Sequence, residues 1–292
     1  MDIIDEDLIK TDHVSFISNE TVSAYVLRLD QIHPVISGNK WFKLRFHLQK
    51  AREGHFKTIV TFGGAFSNHI VATAAACRSY GFNSIGIIRG EAPKEYSHTL
   101  KAAASYGMQL IFISREAYKN KIIPEAINEQ EHYIIPEGGY SRTGADGAAT
   151  IPYNKSMFDT VCCAVGTGTM MAGLINGKSS NTEILGISVL KNNTGIETDI
   201  RNLLVNPNDT INIDHRFHFG GYAKHKPELI AFMNTLYSQT GIPTDFVYTA
   251  KLFYGVQQLI KENYFLKGSR ILIIHSGGLQ GNFSLRKGTL IF

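Results

Sequence analysis

Short apolar runs alternate along this chain with longer stretches in which apolar residues recur at helical spacing. The apolar runs predict strands at residues 58–62, 84–88, 109–113, 133–135, 160–165, 184–189 and 270–275. The helical pattern predicts helices at residues 41–53, 68–80, 95–106, 115–120, 169–176, 227–240 and 251–263. This alternation is typical of an α/β protein with mostly parallel sheets, whose ligands bind beyond the carboxyl ends of the strands.

A polar, glycine-rich stretch at residues 136–144 interrupts the alternation, and it predicts a loop or hinge that returns the chain from a smaller lobe. A length of 292 residues suits two α/β lobes better than one small domain. A hydrophobic content of 43% and a charged content of 18% indicate a soluble globular chain that buries a sizeable core.

Charge and cysteine usage narrow the possible functions further. The formal net charge is +4 and the basic residues are scattered, which gives little support to nucleic-acid binding. No apolar stretch approaches the length of a membrane span, and residues 1–6 do not resemble a signal peptide, so we expect a cytoplasmic protein. Cys77, Cys162 and Cys163 lie in apolar or small-residue runs, which predicts buried thiols and neither a disulfide nor a metal site.

The first candidate for chemistry is a lysine behind a turn of short residues. Ser37, Gly38 and Asn39 precede Lys40 at the start of the first predicted helix. Partial burial would lower the pKa of this amine and make it a nucleophile. Taken alone, the segment favours a solvated surface lysine, because most lysines at helix starts are exposed.

A second candidate follows the strand at residues 58–62. The strand meets Gly63 and Gly64, and Ser67 or Asn68 then caps an alanine-rich helix. Free backbone amides at a helix start suit a carboxylate or a phosphate. The same segment also fits an ordinary strand-to-helix junction.

The third candidate is the Gly-Thr-Gly-Thr sequence at residues 166–169, between a buried strand and a helix. Glycines allow the backbone to approach an anion closely, and amides and threonine hydroxyls donate to it. A nucleoside-triphosphate loop would need Gly-Lys-Ser/Thr, which is absent here. A dinucleotide site is disfavoured because Met171 replaces the third glycine and the next strand runs into Lys191 instead of an acidic residue.

A nucleophilic amine, two helix starts that suit anions and the lack of a metal-ligand cluster together favour pyridoxal phosphate. The chain resembles the 1-aminocyclopropane-1-carboxylate deaminase/D-cysteine desulfhydrase family, within the tryptophan-synthase-β-like, fold type II group of pyridoxal-phosphate enzymes. The resemblance extends from about Lys10 to Asn282. It depends on motifs in the same order, which are Gly38-Asn39-Lys40 with Lys43-Leu44, Gly63-Gly64 with Ser67-Asn68-His69, the glycine-threonine loop, and Val247-Tyr248 with Lys251.

The resemblance implies a fold and a set of contacts. It implies a large cofactor-binding domain at residues 1–45 and 150–292, a small substrate-side domain at residues 46–149, the cofactor in the cleft between them, and a homodimer. Lys40 would be the lysine that binds the cofactor covalently, Asn68 would contact its ring hydroxyl, Ser67 would face the substrate, and Gly166, Thr167, Gly168 and Thr169 would hold the phosphate. Tyr248 and Tyr222 match tyrosines near the substrate, although both also fit ordinary core packing.

Two positions depart from the family pattern. Phe246 replaces the proline that precedes the active-site Val-Tyr pair. Thr249 stands where the cyclopropane deaminases have a glutamate at the pyridine nitrogen. A carboxylate would keep that nitrogen protonated, whereas a hydroxyl leaves it largely unprotonated. This difference favours α,β-elimination over opening of the cyclopropane ring.

Several other residues invite functional interpretations that we weigh against simpler ones. Ser276 follows a strong strand but lacks the Gly-x-Ser-x-Gly elbow, so we interpret residues 275–278 as a loop lining the cofactor cleft. His69 fits a position near the substrate and a core position equally well. Lys43 shares a helical face with Lys40, and its pattern favours a solvated helix face over a charge near the phosphate.

Three hypotheses follow for the function. The first is a pyridoxal-phosphate-dependent lyase or deaminase that eliminates the β-substituent of a small amino acid and yields a 2-oxo acid and ammonia, as D-cysteine desulfhydrase does. The second is 1-aminocyclopropane-1-carboxylate deamination. The third, of a different class, is a cofactor-bound binding protein with little turnover.

Overall fold

The computed structural model describes residues 4–292, so residues 1–3, at the start of the predicted large domain, lie outside the description. The strands are β1 (Thr11–His13), β2 (Ser23–Arg28), β3 (Thr58–Gly63), β4 (Asn83–Arg89), β5 (Gln109–Ile113), β6 (His132–Ile135), β7 (Thr160–Val165), β8 (Glu183–Ser188), β9 (Asn212–Asp214) and β10 (Arg270–His275). The helices are α1 (Asn39–Glu53), α2 (Asn68–Tyr80), α3 (His98–Ser105), α4 (Arg115–Lys119), α5 (Arg142–Ala148), α6 (Thr169–Gly177), α7 (Ile196–Arg201), α8 (Pro227–Thr240) and α9 (Thr249–Lys261).

The strands form two separate sheets. The larger sheet has the order β1-β2-β10-β7-β8-β9, and only the β1–β2 pair within it is antiparallel. The smaller sheet has the order β5-β4-β3-β6 and is parallel throughout. The predicted α/β class with two mostly parallel sheets is therefore confirmed.

Helices cover both faces of each sheet, as parallel sheets require. In the larger sheet, β7 alternates between two apolar clusters, with Val161 and Cys163 in one and Cys162 and Ala164 in the other. The second of these clusters also contains Leu252 of α9. In the smaller sheet, one face packs on α4 and the other on α2 and α3. Because helices cover both faces of each sheet, the loops that follow the strands come together at the carboxyl ends of the strands.

The boundaries agree closely with the sequence pattern where strands and helices are long. All seven predicted strands and all seven predicted helices are present, with ends that shift by up to three residues. The pattern missed β1, β2, β9, α5 and α7. It also assigned residues 136–144 to a loop, whereas α5 begins at Arg142, where the Ser141 side chain accepts a hydrogen bond from the Gly144 amide.

The domain division stays a prediction, but the topology bears on where its boundaries can lie. The smaller sheet uses only residues 58–135, inside the segment expected to form the small domain. Helix α1 continues without a break across the expected boundary at residues 45 and 46. All three cysteines are buried free thiols, as expected. Between residues 4 and 292 the structure contains no helix with the length and apolar character needed to cross a membrane.

Candidate active site

A cavity of about 420 Å³ lies where the carboxyl ends of β3, β4, β7 and β10 converge. Its lining includes most of the residues predicted from sequence, namely Lys40, Ser67, Asn68, Gly166, Thr167, Gly168, Tyr222 and Tyr248. Thr169 lies directly behind the lining and is fully buried. Thr249 is also fully buried and does not line the cavity.

Lys40 reaches the cavity because α1 begins against the loop that follows β10. Gly38 caps the helix with a φ of +64°, and a Cβ at this position would lie only 1.9 Å from the Ser276 carbonyl oxygen. This close approach requires glycine. The Lys40 Nζ donates to Asn39 Oδ1 at 2.6 Å and lies 5.9 Å from the centre of the Tyr248 ring.

Burial changes the acidity of this amine. Desolvation lowers the pKa of Lys40 to about 8, although the charge of Asp245 opposes the shift. Near neutral pH a minor fraction of the amine is therefore unprotonated, far more than in an exposed lysine. That is the state an amine must have to attack a carbonyl carbon.

Lys43 corrects a prediction, because it is not on a solvated helix face. Its side chain is buried, and Nζ donates to the Gly138 carbonyl oxygen at 2.7 Å. Desolvation, and then repulsion from Lys40, lower the pKa of Lys43 to about 7. Two amines of lowered pKa thus line one cavity. The sequence placed them on the same helical face, but the partner at Gly138 comes from 95 residues further along the chain.

His69 of α2 is buried against the smaller sheet, and it also lines the cavity, so both positions expected for it are realised. The Thr61 hydroxyl donates to the Ile135 carbonyl at 2.9 Å, so His69 Nε2 is the donor in its 3.0 Å contact with Thr61. Nδ1 is then the unprotonated nitrogen, and it has no hydrogen-bond partner among residues 4–292. Desolvation, followed by the nearby Lys43, lowers the pKa of His69 well below its usual value and keeps the ring neutral.

The start of α2 forms one wall of the cavity. Ser67 is the N-cap, and its side chain accepts a hydrogen bond from the Ile70 amide. The buried Asn68 donates through Nδ2 to the Gly278 carbonyl at 3.4 Å, which ties α2 to the loop after β10. The amides of the first turn face the cavity with the positive end of the helix dipole.

The start of α6 forms another wall of the cavity. Its N-cap is Gly168, with a φ of +78°, and no side chain in the described part of the chain caps it. A Cβ on Gly168 would lie 2.5 Å from Ile200 Cγ1. The hydroxyls of Thr167 and Thr169 are 3.0 Å apart. Uncapped amides, two hydroxyls and a backbone without side-chain bulk are the donor set that a phosphate needs.

The two predicted tyrosines meet at the cavity. Their rings pack edge to face with centroids 6.2 Å apart. Tyr248 is mostly buried, whereas Tyr222 is 44% exposed. Desolvation raises the pKa of both hydroxyls, and for Tyr248 the nearby Tyr222 adds to the effect. Lys251 of the family motif supports Tyr222 indirectly, since its Nζ donates to the Gly221 carbonyl at 2.7 Å.

Thr249 contacts a buried carboxylate. Its hydroxyl donates to Asp245 Oδ1 at 2.7 Å, and its amide donates to the same oxygen. Asp245 Oδ2 accepts the amides of Val247 and Tyr248, both at 2.9 Å. Asp245 thereby organises the start of α9 and holds Tyr248 in place. The hydroxyl-bearing residue that lines the cavity after β10 is Ser276, in agreement with the prediction for that loop.

Two charged residues of the lining were not singled out from the sequence. Arg89 is the last residue of β4, and Glu137 follows β6. Glu137 forms an ion pair with Lys121 at 2.6 Å. Arg89 follows an apolar strand, as many surface arginines do, so only its position at a strand end could have drawn attention to it.

A larger groove of about 1150 Å³ lies elsewhere, between α3 and the last eight residues. Its lining is mostly apolar and contains none of the predicted site residues. The chemistry therefore belongs to the smaller cavity.

The side chains of the smaller cavity fit pyridoxal phosphate. An aldehyde needs an amine that can lose its proton, which Lys40 provides. A phosphate dianion needs uncapped amides and positive charge, which α6 and Lys43 provide.

Comparisons with known proteins agree with this chemistry. The model of the family described as pyridoxal-phosphate dependent enzyme matches residues 9–277. The bifunctional D-cysteine desulfhydrase/1-aminocyclopropane-1-carboxylate deaminase of Arabidopsis thaliana is 30% identical over 84% of this chain and 70% of its own length. The D-cysteine desulfhydrase of Yersinia pestis is 24% identical over 88% of this chain and 87% of its own length.

A solved structure of a homologue of 1-aminocyclopropane-1-carboxylate deaminase has the same fold. It superposes with a TM-score of 0.82 at 28% identity, and the match covers 97% of this chain and 92% of the other. The predicted cofactor is that of the matched family. This chain is a pyridoxal-phosphate-dependent enzyme and belongs to the 1-aminocyclopropane-1-carboxylate deaminase/D-cysteine desulfhydrase family.

Proposed function

We propose that this enzyme eliminates the β-substituent of a small amino acid and yields a 2-oxo acid and ammonia, as a D-cysteine desulfhydrase does. When bound, pyridoxal phosphate supplies the electron sink for the pair left by the broken Cα–H bond. Lys40 would hold the cofactor covalently. The start of α6 and Lys43 would hold its phosphate, and Asn68 would contact its ring hydroxyl.

The other walls of the cavity suit the substrate. The amides at the start of α2, with Ser67, would bind the α-carboxylate. Lys40 would then take the proton from Cα, because its lowered pKa lets it act as a base near neutral pH. The raised pKa values of Tyr222 and Tyr248 keep both hydroxyls protonated, so they would serve as hydrogen-bond donors.

The absence of a free carboxylate at the Ser276 end of the described lining is the observation that favours elimination. Asp245 lies behind this end, but both of its oxygens already accept hydrogen bonds from the start of α9. Glu137 is paired with Lys121. We therefore propose that the Ser276 hydroxyl, in place of the predicted Thr249, faces the pyridine nitrogen. The electronic consequence is the same, since a hydroxyl leaves that nitrogen largely unprotonated.

The test is a substrate panel with purified holoenzyme. Both enantiomers of cysteine and of β-chloroalanine, together with 1-aminocyclopropane-1-carboxylate, are assayed for 2-oxo acid and ammonia. We expect 2-oxo acid from a cysteine or β-chloroalanine enantiomer and little turnover of the cyclopropane substrate. The Lys40→Ala variant should lose this activity. Lys50→Ala should keep it, because Lys50 lies on the same helix but its amine contacts Thr143 away from the cavity.

Two results would contradict the proposal. Efficient turnover of the cyclopropane substrate without turnover of cysteine would assign the enzyme to the deaminases. Cofactor binding without turnover of any member of the panel would favour a binding protein.

A further inference from the structure

Arg89 brings a positive charge to the cavity that the proposed function does not use. The residue ends β4, and β4 pairs in parallel with β3, so Arg89 lies beside the loop that begins at Gly64. Its Nη2 would be 3.7 Å from a Cβ placed on Gly64. The guanidinium therefore overlies the loop that leads to Ser67 and α2, on the wall proposed for the substrate.

This guanidinium has no anionic partner in the described part of the chain. It forms neither a hydrogen bond nor an ion pair with any of residues 4–292. It lies over the Tyr118 ring, 5.9 Å from Cζ to centroid, and its charge also acts on the Tyr222 hydroxyl. Lys121 packs on the same Tyr118 ring, 4.2 Å from Nζ to centroid. It also forms the ion pair with Glu137, the only carboxylate in the described lining. Of the two cations on Tyr118, Arg89 is the one that stays available.

The other anionic groups expected in the cavity have binding sites of their own. In the proposed function, the start of α6 and Lys43 would bind the phosphate, and the start of α2 would bind the α-carboxylate. A planar guanidinium matches carboxylate, sulfate and phosphate groups through paired hydrogen bonds. A third anion is thus the group that would complete the charge balance of the cavity.

We propose that Arg89 binds an anionic group on the side chain of the substrate, so that the enzyme prefers amino acids with an anionic β-substituent. This inference rests on the proposed function. In the elimination, Cα would lose its proton to Lys40, and the β-substituent would depart with the electron pair of its bond to Cβ. Water then converts the remaining unsaturated amine to the 2-oxo acid and ammonia.

Binding of aspartate and asparagine tests the proposal independently of turnover. The two amino acids are nearly isosteric and differ in side-chain charge. Calorimetry on the holoenzyme, with both enantiomers of each, should show at least roughly tenfold tighter binding of aspartate for one enantiomer, which is about 1.4 kcal/mol. Arg89→Met should abolish this preference, and Arg89→Lys should keep part of it.

Lys121→Met is the matched control. It removes a positive charge from the same aromatic cluster, but Lys121 does not line the cavity. Because Lys121→Met alone would leave Glu137 unpaired in the cavity, the control carries Glu137→Gln as well, and the aspartate preference should survive in Lys121→Met/Glu137→Gln. In Arg89→Met, the ratio of kcat/KM for serine O-sulfate to kcat/KM for β-chloroalanine should fall, and the KM for serine O-sulfate should rise.

The outcomes separate this proposal from the proposed function. Equal binding of the two amino acids, or no binding of either, would overturn the role of Arg89 even if the enzyme eliminates from cysteine. An aspartate preference that Arg89→Met leaves unchanged would overturn it as well. An equal loss of affinity for aspartate and asparagine in Arg89→Met would mean that Arg89 binds the α-carboxylate instead. Conversely, an Arg89-dependent aspartate preference without turnover of any substrate would refute only the proposed function.

Discussion

Replacing Gly168 with alanine tests the phosphate site, because a side chain here would displace the backbone at the start of α6. Two separate contributions should destabilise this variant. Its φ of +78° lies in the left-handed region, which costs an L-residue about 1–2 kcal/mol. A Cβ would also lie 2.5 Å from Ile200 Cγ1, and relieving such crowding costs about 1–3 kcal/mol. The free energy of unfolding should therefore fall by about 2–5 kcal/mol.

Gly81 offers a matched control for the backbone cost. It caps the carboxyl end of α2 with a φ of +77°, and no atom lies within 4 Å of a Cβ placed there. Gly81→Ala should therefore lose only about 1–2 kcal/mol and should leave the cofactor site intact. The difference between the two variants measures the crowding against Ile200.

Urea unfolding of the apoprotein gives the stabilities, and absorbance titration with pyridoxal phosphate gives the cofactor affinity. Moving the amides at the start of α6 should weaken at least one charge-assisted hydrogen bond from these amides to the cofactor phosphate, which is worth about 1.5–3 kcal/mol. Gly168→Ala should therefore bind the cofactor at least roughly tenfold more weakly. If Gly168→Ala and Gly81→Ala lose equal stability and both bind the cofactor like the wild type, the phosphate does not lie at α6.

Three further predictions concern the residues around the cavity. Borohydride treatment of the holoenzyme should fix the cofactor on the peptide of Lys40, as read by mass spectrometry, and attachment at Lys43 would contradict the assignment. Because burial lowers the pKa of Lys40 from 10.5 to about 8, unfolding takes up a proton at Lys40 between these values, so this residue contributes a rise of stability with pH across the window. Lys40→Met should flatten that rise in urea unfolding, and an unchanged slope would refute the shift. Asp245→Asn should lower the free energy of unfolding by about 2–6 kcal/mol in urea, because one acceptor oxygen becomes an NH2 group and two of the four hydrogen bonds to this side chain are lost, each worth about 1–3 kcal/mol. A loss under about 1 kcal/mol would show that Asp245 does not organise α9.

Local pattern was sufficient for the framework and for part of the site. Strands such as β7 and β10 are continuous apolar runs that need burial on both faces, and their ends were predicted to the residue. The turn before Lys40 and the Gly-Thr loop were recognisable because short residues and glycines act within a few positions. By contrast, β1 and β9 have only three residues each, too few for a period, and they depend on pairing with a neighbouring strand.

The electrostatics of the cavity could be decided only by the tertiary structure. The sequence placed Lys43 on the face of Lys40, but its burial and low pKa arise because the turn at Gly138 closes over it from the other side. Thr249 is the exception, because its partner Asp245 lies only four residues earlier, and this local signal for the start of α9 was in the sequence but was overlooked. Arg89 became a candidate binding residue only in the folded structure, where the pairing of β4 with β3 places it at the cavity without an anionic partner among residues 4–292. Turn and helix signals depend on neighbouring residues in the sequence. Desolvation and charge pairing depend instead on which distant segments meet, because the three-dimensional surroundings of a group set its pKa.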